Sequence, residues 1–315
     1  MSRGATVVRK PKALREGATV AIVSPSSPVD PTELLVGLKE LRSLGFDLEQ
    51  SPQMRPQGYF AGALKERRHQ LMQALQSKVI DGLIASRGGY GSSYLIENDF
   101  KARASMPKCL VGYSDLTAVQ IFLWQTQRWV TFYGPMVASG FAASSGAGAR
   151  YDQSSFLQAV RSTLGRWTLP LQGATLSKGT AQGRILGGCL TLLQSTLGTP
   201  WELDTRNSIL LLEDRGMKPY QVDRALLHLR QAGKFARVRG IVLGDFPNCD
   251  PPVPGGPNVR DVCERLLAPL RIPIVYGAPI GHTTRPMLTI PLGIKARLTA
   301  KDAGSLEFLE PAVID

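Results

Sequence analysis

Apolar positions along the chain alternate between short continuous runs and helical spacings. Ala18–Val23 is a β-rich run that ends in Ser24-Pro25-Ser26-Ser27. Asp30 then precedes Pro31, with Glu33 three residues after it, which reads as an N-cap, a proline at the first helical position and a capping-box acid. Leu34, Leu35, Leu38, Leu41 and Leu44 follow at helical spacing up to Gly45, a natural helix stop. A short strand around Phe46–Glu49 and a helix through Leu71, Leu75 and Val79 come next. Strands at Gly82–Ser86, Cys109–Tyr113 and Trp129–Tyr133 continue the alternation, with an apolar helix from Leu116 before the last of them. Repeated strand, loop and helix predict a parallel sheet with helices on its faces, in which ligands gather at the carboxyl ends of the strands.

Residues 138–148 are small and turn-prone, and 165–179 are irregular. This pattern predicts an N-terminal α/β domain over 1–145, a linker over 146–180 and a C-terminal domain over 181–315. In the second half, helices are expected near Leu190–Leu197, from Pro219 to about Gly233, and up to Leu267. Strands are expected at Ser208–Leu212, Gly240–Gly244 and Ile274–Tyr276, and the tail (Met287–Ile290, Ala296–Ala300, Leu306–Leu309) reads as hairpin strands.

Composition narrows the function classes. With 315 residues the chain is about twice the roughly 150-residue length of a typical domain, in keeping with two. At 43% hydrophobic and 20% charged it is globular, and no run approaches the roughly 18 apolar residues of a membrane-spanning helix. The net charge of +12 fits a nucleic acid, an anionic surface or an acidic small substrate as partner. Lys and Arg are scattered and aromatics make up 7%, which argues against a nucleic-acid partner. The densest basic cluster, Lys65, Arg67 and Arg68, is expected on a solvated helix face. Cys109, Cys189, Cys249 and Cys263 form no CxxC pair and there are only three histidines, so neither a zinc site nor another metal site is expected. The cysteines are expected to be reduced and mostly buried. No apolar stretch of signal-peptide type precedes Gly17, and the expected compartment is the cytoplasm.

Three residues at strand ends are candidates for chemistry. Ser114 lies on a sharp strand-to-helix turn, Val111-Gly112-Tyr113-Ser114-Asp115-Leu116, which projects Oγ from the sheet and aims the following amides at whatever it attacks. Leu116 stands where the G-x-S-x-G elbow has its second glycine, and the plain alternative is that Ser114 or Asp115 caps the helix. His282 sits in a Gly/Pro-rich loop after a buried strand, whereas His69 and His228 lie within helices. Glu213 ends the apolar strand Ile209–Leu212 and suits an acid that orients an imidazole; Asp214 is equally placed, and an ion pair of Glu213 with Arg215 or Lys218 is the structural alternative. The loop Arg87-Gly88-Gly89-Tyr90-Gly91 offers a second oxyanion donor at Gly89 and a carboxylate fork at Arg87, and it fits neither G-x-G-x-x-G nor a Walker loop.

Taken together, Ser86-Arg87-Gly88-Gly89-Tyr90-Gly91, Gly112-Tyr113-Ser114-Asp115-Leu116-Thr117-Ala118, Tyr133-Gly134-Pro135-Met136, Leu212-Glu213-Asp214, Pro219-Tyr220, Asp223-Arg224 and Gly277-Ala278-Pro279-Ile280-Gly281-His282 resemble the LD-carboxypeptidase family of serine peptidases. The resemblance runs in order over roughly residues 15–310. It implies an N-terminal parallel α/β domain (flavodoxin-like or glutamine amidotransferase-like) and a smaller C-terminal β/α domain, often as a homodimer. It further implies a Ser114, His282, Glu213 triad, an oxyanion hole from the amides of Asp115 and Gly89, substrate contacts from Arg87, Gly88 and Tyr90, and no cofactor. The implied reaction releases the terminal D-alanine of murein tetrapeptides. A related branch, the microcin C self-immunity peptidases, cleaves peptidyl-nucleotides, for which Trp167 or Trp201 would be a stacking platform. A non-catalytic binder of small anions is the reading from another class. The family's E-D-x-x-E-x-P-Y pattern is broken here, with Met217 in place of the second glutamate.

Overall fold

The computed structural model describes residues 7–50, 54–96, 106–143 and 150–315. Part of the small-residue run at 138–148, and with it the expected boundary after residue 145, lies outside the described residues. Along the chain the regular elements are β1 (Thr19–Val23), α1 (Pro31–Ser43), β2 (Asp47–Gln50), α2 (Leu64–Gln76), β3 (Gly82–Ala85), β4 (Cys109–Gly112), α3 (Thr117–Gln127) and β5 (Thr131–Tyr133). After α4 (Gln153–Arg161) come β6 (Trp167–Pro170), β7 (Ala174–Ser177), β8 (Gly179–Cys189), α5 (Leu190–Ser195), β9 (Ser208–Glu213), α6 (Pro219–Gln231) and β10 (Gly240–Gly244). The chain ends with α7 (Val259–Leu267), β11 (Ile274–Ala278), β12 (Ile290–Leu292), β13 (Lys295–Ala300) and β14 (Ser305–Phe308).

The first compact unit comprises 1–163, 285–293 and 312–315. Its sheet has the order β12-β5-β4-β3-β1-β2, parallel from β5 to β2, with β12 antiparallel at the edge. The neighbours of β1 are β2 and β3, so chain direction across the sheet reverses there, and the carboxyl ends of β1 and β3 flank the position where such folds bind ligands. Strands β3, β4 and β5 are buried along their whole length, which is why they read as continuous apolar runs. The helix start at Asp30 follows the sequence: its carboxylate accepts from the amides of Thr32 (2.8 Å) and Glu33 (3.0 Å), with Pro31 in the first turn.

The second, smaller unit comprises 164–284 and 294–311. Its sheet runs β6-β14-β13-β8-β9-β10-β11-β7, with β8 to β11 parallel and the flanks antiparallel.

Three expectations need correction. The stretch 146–180, expected as a linker, holds α4, β6, β7 and the start of β8. Of the three tail strands, β13 and β14 form the hairpin, but the first, β12, joins the other sheet beside β5. Arg67 is not on a solvated face: only 1% of it is exposed.

Candidate functional site

Ser114 follows β4 and opens a short turn of 3-10 helix, Ser114–Leu116, that leads into α3. It is a non-glycine residue at φ 61°, a conformation that costs a serine about 1 kcal/mol or more and persists only where surrounding packing imposes it. That packing is visible. Gly112 sits at φ 156°, and its carbonyl accepts from the Gly134 amide at 3.4 Å and from the buried Gln120 side-chain amide at 3.1 Å; the same Gln120 group also donates to the Phe132 carbonyl. The amide of Ser114 donates to the Tyr133 phenol at 3.3 Å. Ser114 does not cap α3 with its side chain, so the plain reading of a helix cap does not hold.

The glycine loop lies directly against this serine. A Cβ on Gly88 would stand 3.0 Å from Ser114 Cβ and 3.1 Å from its Oγ, so only a glycine leaves the hydroxyl this much room. Gly89, at φ 113°, packs on Ser27, whose hydroxyl accepts from the Tyr90 amide at 3.1 Å. Gly89 and Tyr90 are exposed and Gly88 is buried. Arg87 is half-buried, and its guanidinium donates to the Pro28 carbonyl at 3.1 Å.

Beneath the loop lies a polar frame. The buried Asp115 carboxylate accepts from the Ser26 hydroxyl (2.6 Å) and the Ser92 amide (2.7 Å), and the Ser92 hydroxyl donates to the Asp115 carbonyl. Burial raises the Asp115 carboxyl above its ordinary range, the hydrogen bonds opposing it. Arg67 reaches up from α2 and donates to the carbonyls of Pro25, Gly62 and Gly91, with its guanidinium 4.6 Å from the centre of the Phe60 ring. Desolvation lowers its pKa, while the nearby Asp115 charge works the other way. Nothing in the apolar periodicity of α2 announces this role; the cluster Lys65, Arg67, Arg68 hides it among solvated charges.

In the second unit, Glu213 ends β9 and is wholly buried, and its Oε2 accepts from the His282 backbone amide at 2.9 Å and pairs with His282 Nδ1 at 2.8 Å. Two glycines make room for the carboxylate. A Cβ on Gly244 would meet Glu213 Cβ at 2.7 Å, and one on Gly281, at φ 67°, would meet Glu213 Cδ at 2.4 Å. The His282 side chain is 10% exposed. A carboxylate on Nδ1 fixes the proton there and leaves the lone pair on Nε2, the tautomer required of a general base. Asp214 is used otherwise: it accepts from the Thr191 amide (2.8 Å), the Thr191 hydroxyl (2.7 Å) and the Arg215 amide (2.8 Å), bracing the start of α5. Met217 lies against the Thr191 hydroxyl at 3.6 Å. Trp167 is stacked on Phe308, with ring centres 4.1 Å apart. The four cysteines are free and buried, and burial pushes the Cys263 thiol up to about 12, so it is no nucleophile at neutral pH.

A parallel-sheet unit carries a strained serine at a strand end, and a second unit of mixed sheet carries a buried carboxylate–imidazole pair; together they define a two-unit α/β protein. The N-terminal LD-carboxypeptidase domain model matches residues 20–134 and the C-terminal one residues 182–298. The probable murein peptide carboxypeptidase of Bacillus subtilis is 34% identical over 303 residues, covering 95% of this chain and 94% of its own. The muramoyltetrapeptide carboxypeptidase of Oxalobacter formigenes superposes with a TM-score of 0.81 at 30% identity, over 92% of this chain and 98% of its own. MccF in complex with glutamyl sulfamoyl guanosine gives 0.88 at 25% identity, over 97% and 99%. This chain belongs to the LD-carboxypeptidase family, and no helix among its described residues is long and apolar enough to cross a membrane.

Proposed function

We propose that this chain is a serine carboxypeptidase that hydrolyses the L,D-peptide bond to the terminal D-alanine of murein tetrapeptides, in the cytoplasm and as a homodimer. Ser114 Oγ attacks the carbonyl carbon of the penultimate residue as His282 Nε2 takes its proton. The amides of Asp115 and Gly89 receive the oxyanion, and D-alanine leaves with the proton from His282. Water, deprotonated by His282, then cleaves the acyl-enzyme and restores Ser114. Glu213 holds the imidazole and stabilises its charged form. Arg87 and the positive net charge favour the substrate's terminal carboxylate, and Gly88 and Tyr90 border it. The observation that carries the reading is the Glu213–His282 pair at 2.8 Å, a buried acid committed to one imidazole nitrogen. The test is release of D-alanine from a tetrapeptide, followed by mass spectrometry. Ser114→Ala is expected to fold and to lose at least about 10⁴-fold in kcat, and a chelator is expected to have no effect; turnover surviving in Ser114→Ala ends the proposal.

The likeness to MccF favours a second reading, cleavage of peptidyl-nucleotides. Assaying an aminoacyl sulfamoyl adenosine beside the tetrapeptide separates the two by kcat/KM.

A further inference from the structure

Helix α3 carries one glutamine in its most buried stretch. Ala118, Val119, Ile121, Phe122, Leu123 and Trp124 are buried apolar residues, and Gln120 among them is only 1% exposed. An amide placed there loses its hydration and persists only where other bonds replace it. Its nitrogen has two hydrogens and uses both, on the Gly112 carbonyl at the end of β4 and on the Phe132 carbonyl of β5, each at 3.1 Å. Its oxygen, equally buried, has no hydrogen-bond partner among the described residues. The two carbonyls fix the orientation of the amide, since turning it over would set three oxygens together. A buried acceptor without a partner costs stability, and a methionine would fill nearly the same space without that cost. The Gly112 carbonyl already accepts from the Gly134 amide, so the fold does not need the glutamine to satisfy it.

The position of Gln120 accounts for it better. Side chains on a helix lean toward its N-terminus, so Gln120, fourth in α3, reaches back over the turn that carries Ser114. Ser114 is held at φ 61°, a conformation it would leave if the turn were loosened. Two adjacent residues of β5 oppose that. Tyr133 receives the Ser114 amide on its phenol at 3.3 Å, and Phe132 is tied through Gln120 to Gly112. The glycine loop lies against the hydroxyl, so a small shift of the turn changes both the room and the direction that Oγ has.

We infer that Gln120 is a positioning residue for Ser114: by tying the Gly112 carbonyl to β5 it holds the hydroxyl on its line of attack, an inference that rests on Ser114 being the nucleophile. A misplacement of about 1 Å at a reacting atom can cost about 100-fold in rate. The test follows the unaltered protein and Gln120→Met by melting temperature, by kcat and KM for the tetrapeptide, and by the rate of labelling with a fluorophosphonate. In that labelling Ser114 Oγ bonds to phosphorus and fluoride leaves. The expected result is a melting temperature within about 3 °C of the original. With it, KM is expected to stay within about twofold, and kcat and the labelling rate to fall together by about 10- to 100-fold. Unchanged kcat and labelling rate in folded Gln120→Met, with or without a lower melting temperature, overturn the inference alone. Where Gln120→Met does not fold, Gln120→Glu decides, because a neutral carboxyl keeps one O–H donor and a carboxylate has none. Its labelling rate relative to the unaltered protein is expected to be higher at about pH 6 than at about pH 8; a constant ratio overturns the inference. Labelling without tetrapeptide turnover overturns the substrate reading, and the labelling rates then settle this one. An unaltered protein that neither labels nor turns over the tetrapeptide overturns the serine reading and this inference with it.

Discussion

Asp115 shows how one residue serves two ends. Its amide follows Ser114, while its carboxylate, 1% exposed, ties the Ser26 and Ser92 segments together. Burial raises its pKa in the folded chain above the value near 4 expected when unfolded. The folded state therefore holds a proton that the unfolded state gives up. That contribution is full below the unfolded pKa and is lost as pH rises from about 4 through the raised folded value. Asp115→Asn removes the titration but keeps an acceptor for both donors. The expected outcome is that urea midpoints of the original chain, measured against those of Asp115→Asn, fall as pH rises from about 4 through the raised folded value; a constant difference would refute it. Residues of this sort were legible in part. Ser114, Glu213 and His282 stand out because each is a reactive group at the end of an apolar strand or in the turn or loop that follows it. The division of labour between Glu213 and Asp214 did not, since the two are adjacent at the end of β9 and the glycines at 244 and 281, distant in sequence, open the space that admits Glu213.

At the scale of elements, most helices and strands of the parallel cores were legible from periodicity and caps, since they are set by local rules. What local rules miss is pairing at a distance. The strands β6 and β7 are half-exposed edge strands with mixed patterns, and they exist because β14 and β11 offer them hydrogen bonds. Arg67 is the same kind of case on a helix. Its partners are three carbonyls from the loops after β1, before α2 and after β3, so one α2 side chain sets the spacing of three segments around the glycine loop. Arg67→Met keeps the bulk but strands those carbonyls, at an expected cost of about 2–4 kcal/mol in urea unfolding. Arg67→Lys keeps the charge without the fork of donors and is expected to recover less than half of that. Full recovery by lysine would show that charge alone, not geometry, sets the spacing.

At the scale of the whole molecule, the first unit is completed by chain that returns after the second has been built. β12 pairs with β5 at Ile290↔Tyr133, and Tyr133 is the residue whose phenol receives the Ser114 amide. The last segment returns to the same unit: Ile314 accepts from the Ala13 amide at 2.8 Å and donates to the Pro11 carbonyl at 2.9 Å, with Ala312 and Val313 buried beneath it. Arg15 and Asp315 also pair, but both are more than 70% exposed, and such pairs contribute little. Burying one valine contributes about 2 kcal/mol, and each of the two backbone bonds about 1 kcal/mol. Removing residues 312–315 is therefore expected to lower unfolding free energy by about 3–4 kcal/mol. Hydrogen exchange distinguishes this from a general loss of stability. The Ala13 amide, which loses its acceptor, is expected to exchange fastest relative to the intact chain, while amides within β9 and β10 keep their protection. An unchanged Ala13 amide would mean that the returning segment contributes nothing to the first unit.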